Sequence, residues 1–368
     1  MQPPQGYKKK LVFTVSNDLT YDQRMIRICS SLKEAGYDVL LIGRRLSNSK
    51  PLQPLPFEQK RLNCFFIKGK LFYAEYNIRL FFYLLFLKAD LICAIDLDTI
   101  LPVLFVSKLK NYKRVYDAHE LFCEMKEVVT RPTIYKTWKR IERFTVPQFK
   151  YGYTVNKPIR EILQKDYKVN YEVIMNTPIY IPKETTETKE RFILYQGTVN
   201  EGRCFETLIP AFQYIECPLW IYGDGNFLEQ AKKLVKDHNL ENKIFFKGKL
   251  LPQELKTATK KAILGVTLFE NNGLSNYLSL ANRFFDYIHS AIPQLCVNYP
   301  AYREINDKFK VAELISDLSS TSIAKHLNSL LNDPDRLNNM QQNCKEAAKV
   351  YNWQQEEKKL LDFYQHIL

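Results

Sequence analysis

The chain has 368 residues, of which 46% are hydrophobic, with 53 Lys and Arg against 40 Asp and Glu and a formal net charge of +13. That length and apolar content point to a globular protein of two domains and exclude a disordered or collagen-like chain. The eight cysteines (Cys29, Cys64, Cys93, Cys123, Cys204, Cys217, Cys296 and Cys344) form no CxxC pair and have no His at zinc-site spacing, which excludes a zinc module and a disulfide framework and suggests buried, reduced thiols.

The amino end, "MQPPQGYKKK", is charged, and the apolar run after it is short, so no signal peptide is expected. "KKKLVFTVSND" reads as a strand opening into a polar loop. In "YDQRMIRICSSLKEAGYDVLLIGR" the residues Met25, Ile28, Leu32 and Ala35 keep helical spacing before Gly36 stops the helix and a second strand follows. Strand-like runs recur at "CFFIKG", "ADLICAID", "KRVYDAH" and "YGYTVN", with helical segments between them, which predicts a parallel sheet covered by helices. The longest apolar region, Leu71 to Asp90, is broken by Glu75, Asn77 and Arg79 and is too short in its uninterrupted part to span a bilayer; it reads as a buried or interfacial helix.

From Arg131 to Lys168 ten basic residues face three acidic ones, so about half of the net charge lies in one segment. Anionic membrane, nucleic acid and plain solvent could each satisfy it. Its aromatic neighbours Tyr135, Trp138, Phe144 and Phe149 favour the headgroup zone of a membrane, and nucleic acid, supported by charge alone, is not expected.

Polar, aperiodic "IPKETTETKERF" marks the linker, placing a first domain at 1–180 and a second at 181–345. The second repeats the alternation of strand and helix from "FILYQGT" to "PQLCVN". The last stretch, 346–368, is an amphipathic helix able to dock back on the first domain. The fold class is α/β, two doubly wound Rossmann-like domains facing across a cleft. Ligands of such sheets bind beyond the carboxyl ends of the strands, which singles out Asn17, Asp18, Asp96, Asp98, Asp117, His119 and Glu120 in the first domain. In the second domain the same rule selects the segment from Gly197 to Arg203, Gly223-Asp224-Gly225 and Glu270 to Asn276.

"YQGTVNEGR" places two glycines and a guanidinium after a strand, where backbone amides and Arg203 could hold a phosphate. In "SLANRFFDYIHSAIP" helical spacing puts Asn282, Asp286 and His289 on one face with Arg283 beside them, and Phe284, Phe285 and Ile288 on the other. No GxGxxG follows the first strand, and neither a P-loop nor a GxSxG elbow occurs, which argues against a standard dinucleotide fold, a P-loop NTPase and a serine hydrolase.

The succession "YQGTVNEGR…IYGDGNFLEQAKKL…NKIFFKGKLLPQEL…ANRFFDYIHSAIP", supported by "DLDTILP" and "DAHELF", resembles the family 4 (group 1) glycosyltransferases, retaining sugar-nucleotide enzymes of the GT-B fold. The resemblance implies transfer of a sugar from a UDP- or GDP-linked donor to a saccharide or lipid-linked saccharide, with no metal or other cofactor. It further implies a cytoplasmic enzyme that can rest on the inner face of the membrane and serve polysaccharide synthesis. Asp286 becomes the carboxylate that holds the donor ribose, with Gly197, Gly202, Arg203, Gly223, Asp224, Glu270, Asn282 and Arg283 around the donor. His119, Arg203 and Asp286 are the candidate catalytic residues. Many members carry a second acid ahead of the one at 286. Here Leu278 takes that place and Glu270 is the nearest substitute, while Thr198 and Glu201-Gly202 stand where Arg and Lys-Gly are usual. The alternative from another class is a nucleotide-sugar binding or scaffold protein without turnover.

Overall fold

The computed structural model describes residues 8–47, 49–182 and 188–368. The charged amino end at 1–7 and the centre of the expected linker, 183–187, lie outside the described residues. The chain divides into two compact units, one of residues up to Asn176 together with Glu356–Leu368, the other Thr177–Gln355.

The first unit is built on a seven-stranded sheet: β1 (Lys10–Thr14), β2 (Asp38–Arg45), β3 (Glu58–Asn63), β4 (Leu91–Ile95), β5 (Lys113–Ala118), β6 (Tyr151–Thr154) and β7 (Glu172–Val173). Its order is β3-β2-β1-β4-β5-β6-β7, and every pairing is parallel, with Leu11 opposite Val39 on one side and Leu91 on the other. The central strands are largely apolar because helices cover both faces; Phe13, Leu41, Ile92 and Val115 are fully buried. The helices are α1 (Gln23–Glu34), α2 (Gly69–Phe86), α3 (Ile100–Lys110), α4 (Lys126–Val129), α5 (Pro132–Thr145) and α6 (Lys157–Tyr167). Local signals fix their ends: Asp22 caps α1 by accepting from Met25 N, Asn156 caps α6 by accepting from Ile159 N, and Asn111 ends α3 in the left-handed region.

One expected strand is displaced. "CFFIKG" is a surface loop, and β3 is the polar stretch just before it. An edge strand has a solvated flank and needs no apolar run, so periodicity pointed to the wrong segment.

The second unit carries β8 (Ile193–Gln196), β9 (Leu219–Tyr222), β10 (Ile244–Gly248), β11 (Leu264–Thr267), β12 (Gln294–Val297) and β13 (Ala312–Ile315), in the parallel order β10-β9-β8-β11-β12-β13. Its helices are α7 (Phe205–Ala211), α8 (Leu228–Asp237), α9 (Pro252–Lys261), α10 (Leu274–Tyr277), α11 (Asn282–His289), α12 (Pro300–Phe309), α13 (Ser320–Leu331) and α14 (Pro334–Val350). The final helix, α15 (Trp353–Ile367), sends most of its length into the first unit. There Tyr364 is fully buried, its ring 6.0 Å from Phe13 and its hydroxyl 3.2 Å from that of Tyr153, while Lys113 Nζ donates to the Ile367 carbonyl. In both sheets the winding reverses direction beside the first strand, between β1 and β4 and between β8 and β11, which leaves a crevice at each carboxyl edge. Among the described residues no helix is long and apolar enough to cross a membrane.

Candidate functional site

In the second unit the loop after β8 and the loop after β11 flank the switch point, and the backbone ties them together: Glu270 N donates to Gly202 O at 3.1 Å. The β8 loop is also stitched to the loop after β9, with Gly197 N donating to Tyr222 O at 3.0 Å and Val199 N to Asp224 O at 3.0 Å. A Cβ on Gly223 would lie 1.8 Å from Gly197 O, so glycine is required for the two loops to lie backbone against backbone. Gly197 itself has φ +125, and its open face lies 3.1 Å from an Arg283 nitrogen when a Cβ is placed there.

Asp286, in the middle of α11, is half-buried and accepts from Gln196 Nε2 at 3.0 Å; Gln196 is in turn held through its Oε1, which accepts from Thr259 Oγ1 at 2.6 Å. Gln196 is the last residue of β8 and buried, so strand and helix together aim the carboxylate. Arg283 donates to Gln196 O at 2.9 Å, and its guanidinium lies 4.5 Å from the ring centre of Tyr195 and 4.7 Å from that of Phe269. Arg203 lies 4.5 Å from the same Phe269 ring and donates to Asn276 Oδ1 at 3.4 Å. Phe269 is therefore in contact with two guanidiniums, which keeps like charges close by giving each an aromatic face. Glu270 accepts from Asn272 Nδ2 at 2.7 Å. Cys204, beside Arg203, has φ +59; burial and the nearby Glu270 charge push its thiol up to about 12, so it is a packed, unreactive group at neutral pH.

The structure thus gathers Gly197, Gly202, Arg203, Gly223, Glu270, Arg283 and Asp286 around one switch point. The longer loop brings Glu270 back to Gly202. Asn282 is exposed on the first turn of α11, and Asp224 is exposed with its carboxylate accepting from Gly225 N. One expectation needs correction. Arg283 is only 8% exposed and belongs to the underside of the helix rather than its polar face, because the rings of Tyr195 and Phe269 provide a favourable box for its guanidinium. His289 also turns to protein, 2.8 Å from the Tyr351 carbonyl.

In the first unit, β4 and β5 end in a cluster of charges. Arg24 and Asp117, both buried, pair at 3.0 Å; His119 Nε2 is 2.9 Å from Asp117 Oδ2, and His119 Nδ1 is 3.6 Å from Asp96 Oδ2. Asp96 stands at φ +53, its Oδ1 accepting from His119 N at 2.8 Å, and Asp98 accepts from Ser16. Burial alone would lower the His119 pKa, but Asp117 first and Asp96 second raise it, to about 9, against Arg24, whose Nε donates to His119 Nε2 at 3.0 Å. Burial pushes Asp98 up to about 6 and raises Asp96 as well, whereas Arg24 and His119 keep Asp117 ionised against its own burial. No group of three or more His, Cys, Asp or Glu able to hold a metal ion occurs among the described residues.

Sequence reasoning passed over Gln196, Phe269 and Arg24. Gln196 carried a readable signal, a polar side chain closing an apolar strand. Phe269 and Arg24 looked like ordinary core and helix-surface residues, and only tertiary packing assigns them.

Residues 176–350 match the family model described as Glycosyl transferases group 1. No curated protein matches the chain. Among solved structures, sucrose-phosphate synthase from Thermosynechococcus elongatus superimposes with a TM-score of 0.82 at 14% identity, covering 98% of this chain and 99% of that one. Anabaena HepE in complex with UDP and glucose gives 0.77 at 12% identity, covering 97% and 99%. WaaG, a glycosyltransferase involved in lipopolysaccharide biosynthesis, gives 0.73 at 15% identity, covering 96% and 98%. The chain resembles the group 1 glycosyltransferases and has the GT-B fold.

Proposed function

We propose that this chain is a glycosyltransferase that moves a sugar from a nucleotide-sugar donor, UDP- or GDP-linked, to a saccharide or lipid-linked saccharide acceptor, with retention of configuration and without a metal. The observation that carries the reading is the arrangement at the second switch point, where an aimed carboxylate and two guanidiniums surround a glycine turn. A ribose has a pair of hydroxyls that Asp286 can accept from, and a diphosphate can lie over the Gly197 turn toward Arg203. The family model and the UDP complexes of HepE support the same class of ligand.

Breaking the glycosyl phosphate bond sends its electron pair to the diphosphate. Cations set in place beforehand stabilise that charge more in the transition state than in the ground state. Arg203, half-exposed, is the direct contact, and the buried Arg283 supplies a fixed field beneath it; the pair takes the role a metal would otherwise have. In a retaining transfer the acceptor hydroxyl approaches the face the phosphate leaves, and the departing phosphate oxygen takes its proton, so no protein nucleophile is required. His119 Nδ1, held only loosely at 3.6 Å from Asp96, is the ring nitrogen left to meet a hydroxyl of an acceptor saccharide at the carboxyl edge of the first sheet. The exposed basic residues of α5 support peripheral association with an anionic membrane.

The test is thermal unfolding of the wild type and Asp286→Ala with UDP and GDP in EDTA, followed by assay of UDP- or GDP-sugar turnover. A ligand at 100 times its dissociation constant raises stability by about 2.7 kcal/mol. A shift in EDTA that the substitution removes, together with release of the nucleotide, supports the reading. No shift overturns it, and a shift without turnover points to the binding protein.

A further inference from the structure

Helix α2 is apolar on two opposite sides. Phe72, Tyr76, Leu80 and Leu84 are buried against the first unit, while Leu71, Ile78, Phe82 and Phe86 are 59%, 58%, 54% and 84% exposed. The exposed set recurs with helical spacing and makes a stripe about 22 Å long down the solvent side. The preceding loop extends it with Phe65 and Ile67, 86% and 62% exposed. This loop is held in place: Glu75 accepts from the Phe65 and Phe66 amides at 2.9 Å, and the Arg79 guanidinium lies 5.1 Å from the Phe65 ring. The neighbouring helix α3 adds Phe105 and Leu109, 44% and 68% exposed. So large an exposed apolar surface marks a contact with something else.

The charges around it say what. Exposed Lys68 and Lys70 lie at one end of the stripe and Lys88 at the other, and α3 ends in exposed Lys108 and Lys110. Helix α5 lies alongside, joined to α2 through Tyr73 and Trp138, whose ring centres are 5.3 Å apart, and it exposes Lys136, Arg140 and Arg143. A second copy of this chain would bring one basic rim against another. An anionic bilayer accepts aromatic side chains among its headgroups and acyl boundary and attracts the cations around them, with no spanning segment needed.

We propose that the outer stripe of α2 and the 65–67 loop lie in the headgroup layer of an anionic lipid bilayer, with the surrounding lysines and arginines paired to lipid phosphates. This identifies the surface for the membrane association proposed above and is separate from the donor site. Charge on α5 alone is not sufficient, because the apolar stripe supplies the part of the binding that salt does not remove.

The experiment is flotation of the whole protein with phosphatidylcholine vesicles and with phosphatidylcholine–phosphatidylglycerol vesicles, at low and high salt, alongside size-exclusion chromatography. The variants are Phe82→Ser/Phe86→Ser and, for charge, Lys68→Glu/Lys70→Glu. All four positions are exposed, and a retained UDP-induced thermal shift verifies the fold and keeps this test separate from the donor reading; if UDP shifts neither form, an unchanged unfolding midpoint verifies the fold instead. The expected result is binding to the anionic vesicles that partly survives salt and falls about tenfold or more in each variant. The proposal is overturned by a wild type that ignores anionic vesicles, by a Phe82/Phe86 variant that binds as the wild type does, or by a dimer that this variant dissolves.

Discussion

The Gln196 side chain donates to the Asp286 carboxylate at 3.0 Å, so the acid on α11 takes its direction from the last residue of β8. Thr259 on α9 fixes the other end of that amide. Three elements thereby determine where a single carboxylate points.

Gln196→Ala is therefore expected to weaken nucleotide binding by about fivefold, the equivalent of about 1 kcal/mol for one lost positioning bond. Asp286→Ala should remove it. Calorimetric titration with UDP and GDP separates the two; equal affinity of Gln196→Ala and wild type would show that the amide has no such role.

The two arginines on Phe269 should separate into a catalytic and a structural effect. Arg203→Ala, at a half-exposed position, is expected to lower kcat about 100- to 1000-fold with little change in Tm. Arg283→Ala leaves the Gln196 carbonyl without this donor and a gap between two rings, and should cost about 2–4 kcal/mol of stability as well as activity. Paired measurements of kcat and thermal unfolding decide it; an inactive but equally stable Arg283→Ala would contradict the assignment.

Gly223→Ala should destabilise the second unit by about 3 kcal/mol, because the added methyl carbon would meet the Gly197 oxygen at 1.8 Å and the backbone stands at φ +157. Gly36→Ala, strained at φ +97 but with nothing within 4 Å, should cost less. Denaturant unfolding of both variants gives the ranking.

His119 is expected to titrate near pH 9 in an imidazole NMR experiment, and Asp117→Asn should bring it down toward the ordinary value of about 6.5. Its folded pKa lies above the unfolded one, so its contribution to stability is complete below about pH 6.5 and disappears as the pH rises through about 9. Asp117→Asn also removes the negative charge paired with the buried Arg24, which keeps only neutral acceptors such as Ile174 O, and should lower Tm. A His119 titration unmoved by the substitution would remove the carboxylate as its cause.

Much of the fold was legible because buried parallel strands are short apolar runs and the helices between them keep a regular period; "ADLICAID" and "FILYQGT" announce β4 and β8. The glycines of the candidate site were legible too, since tight turns at strand ends have few other uses, whereas Asp286 lies in the middle of α11 and is singled out by helical spacing and by the family resemblance. What escaped depends on contacts far apart in the chain. The apolar "CFFIKG" suggested a strand, but β3 lies just before it, and those rings are on the surface. Helical spacing set Arg283 beside Asp286, yet a long side chain next to Tyr195 and Phe269 bends beneath the helix, a choice made by rings on two other segments.

The burial of Tyr364 beside Phe13 and Tyr153 has a consequence for birth on the ribosome. The second unit is one continuous run, Thr177–Gln355, and all of it has been synthesised before Glu356–Leu368 is made. The unit that begins the chain is thus the last to close. During translation its sheet waits with an open seat for a tyrosine, and a chain clipped before Glu356 would present that apolar gap to chaperones.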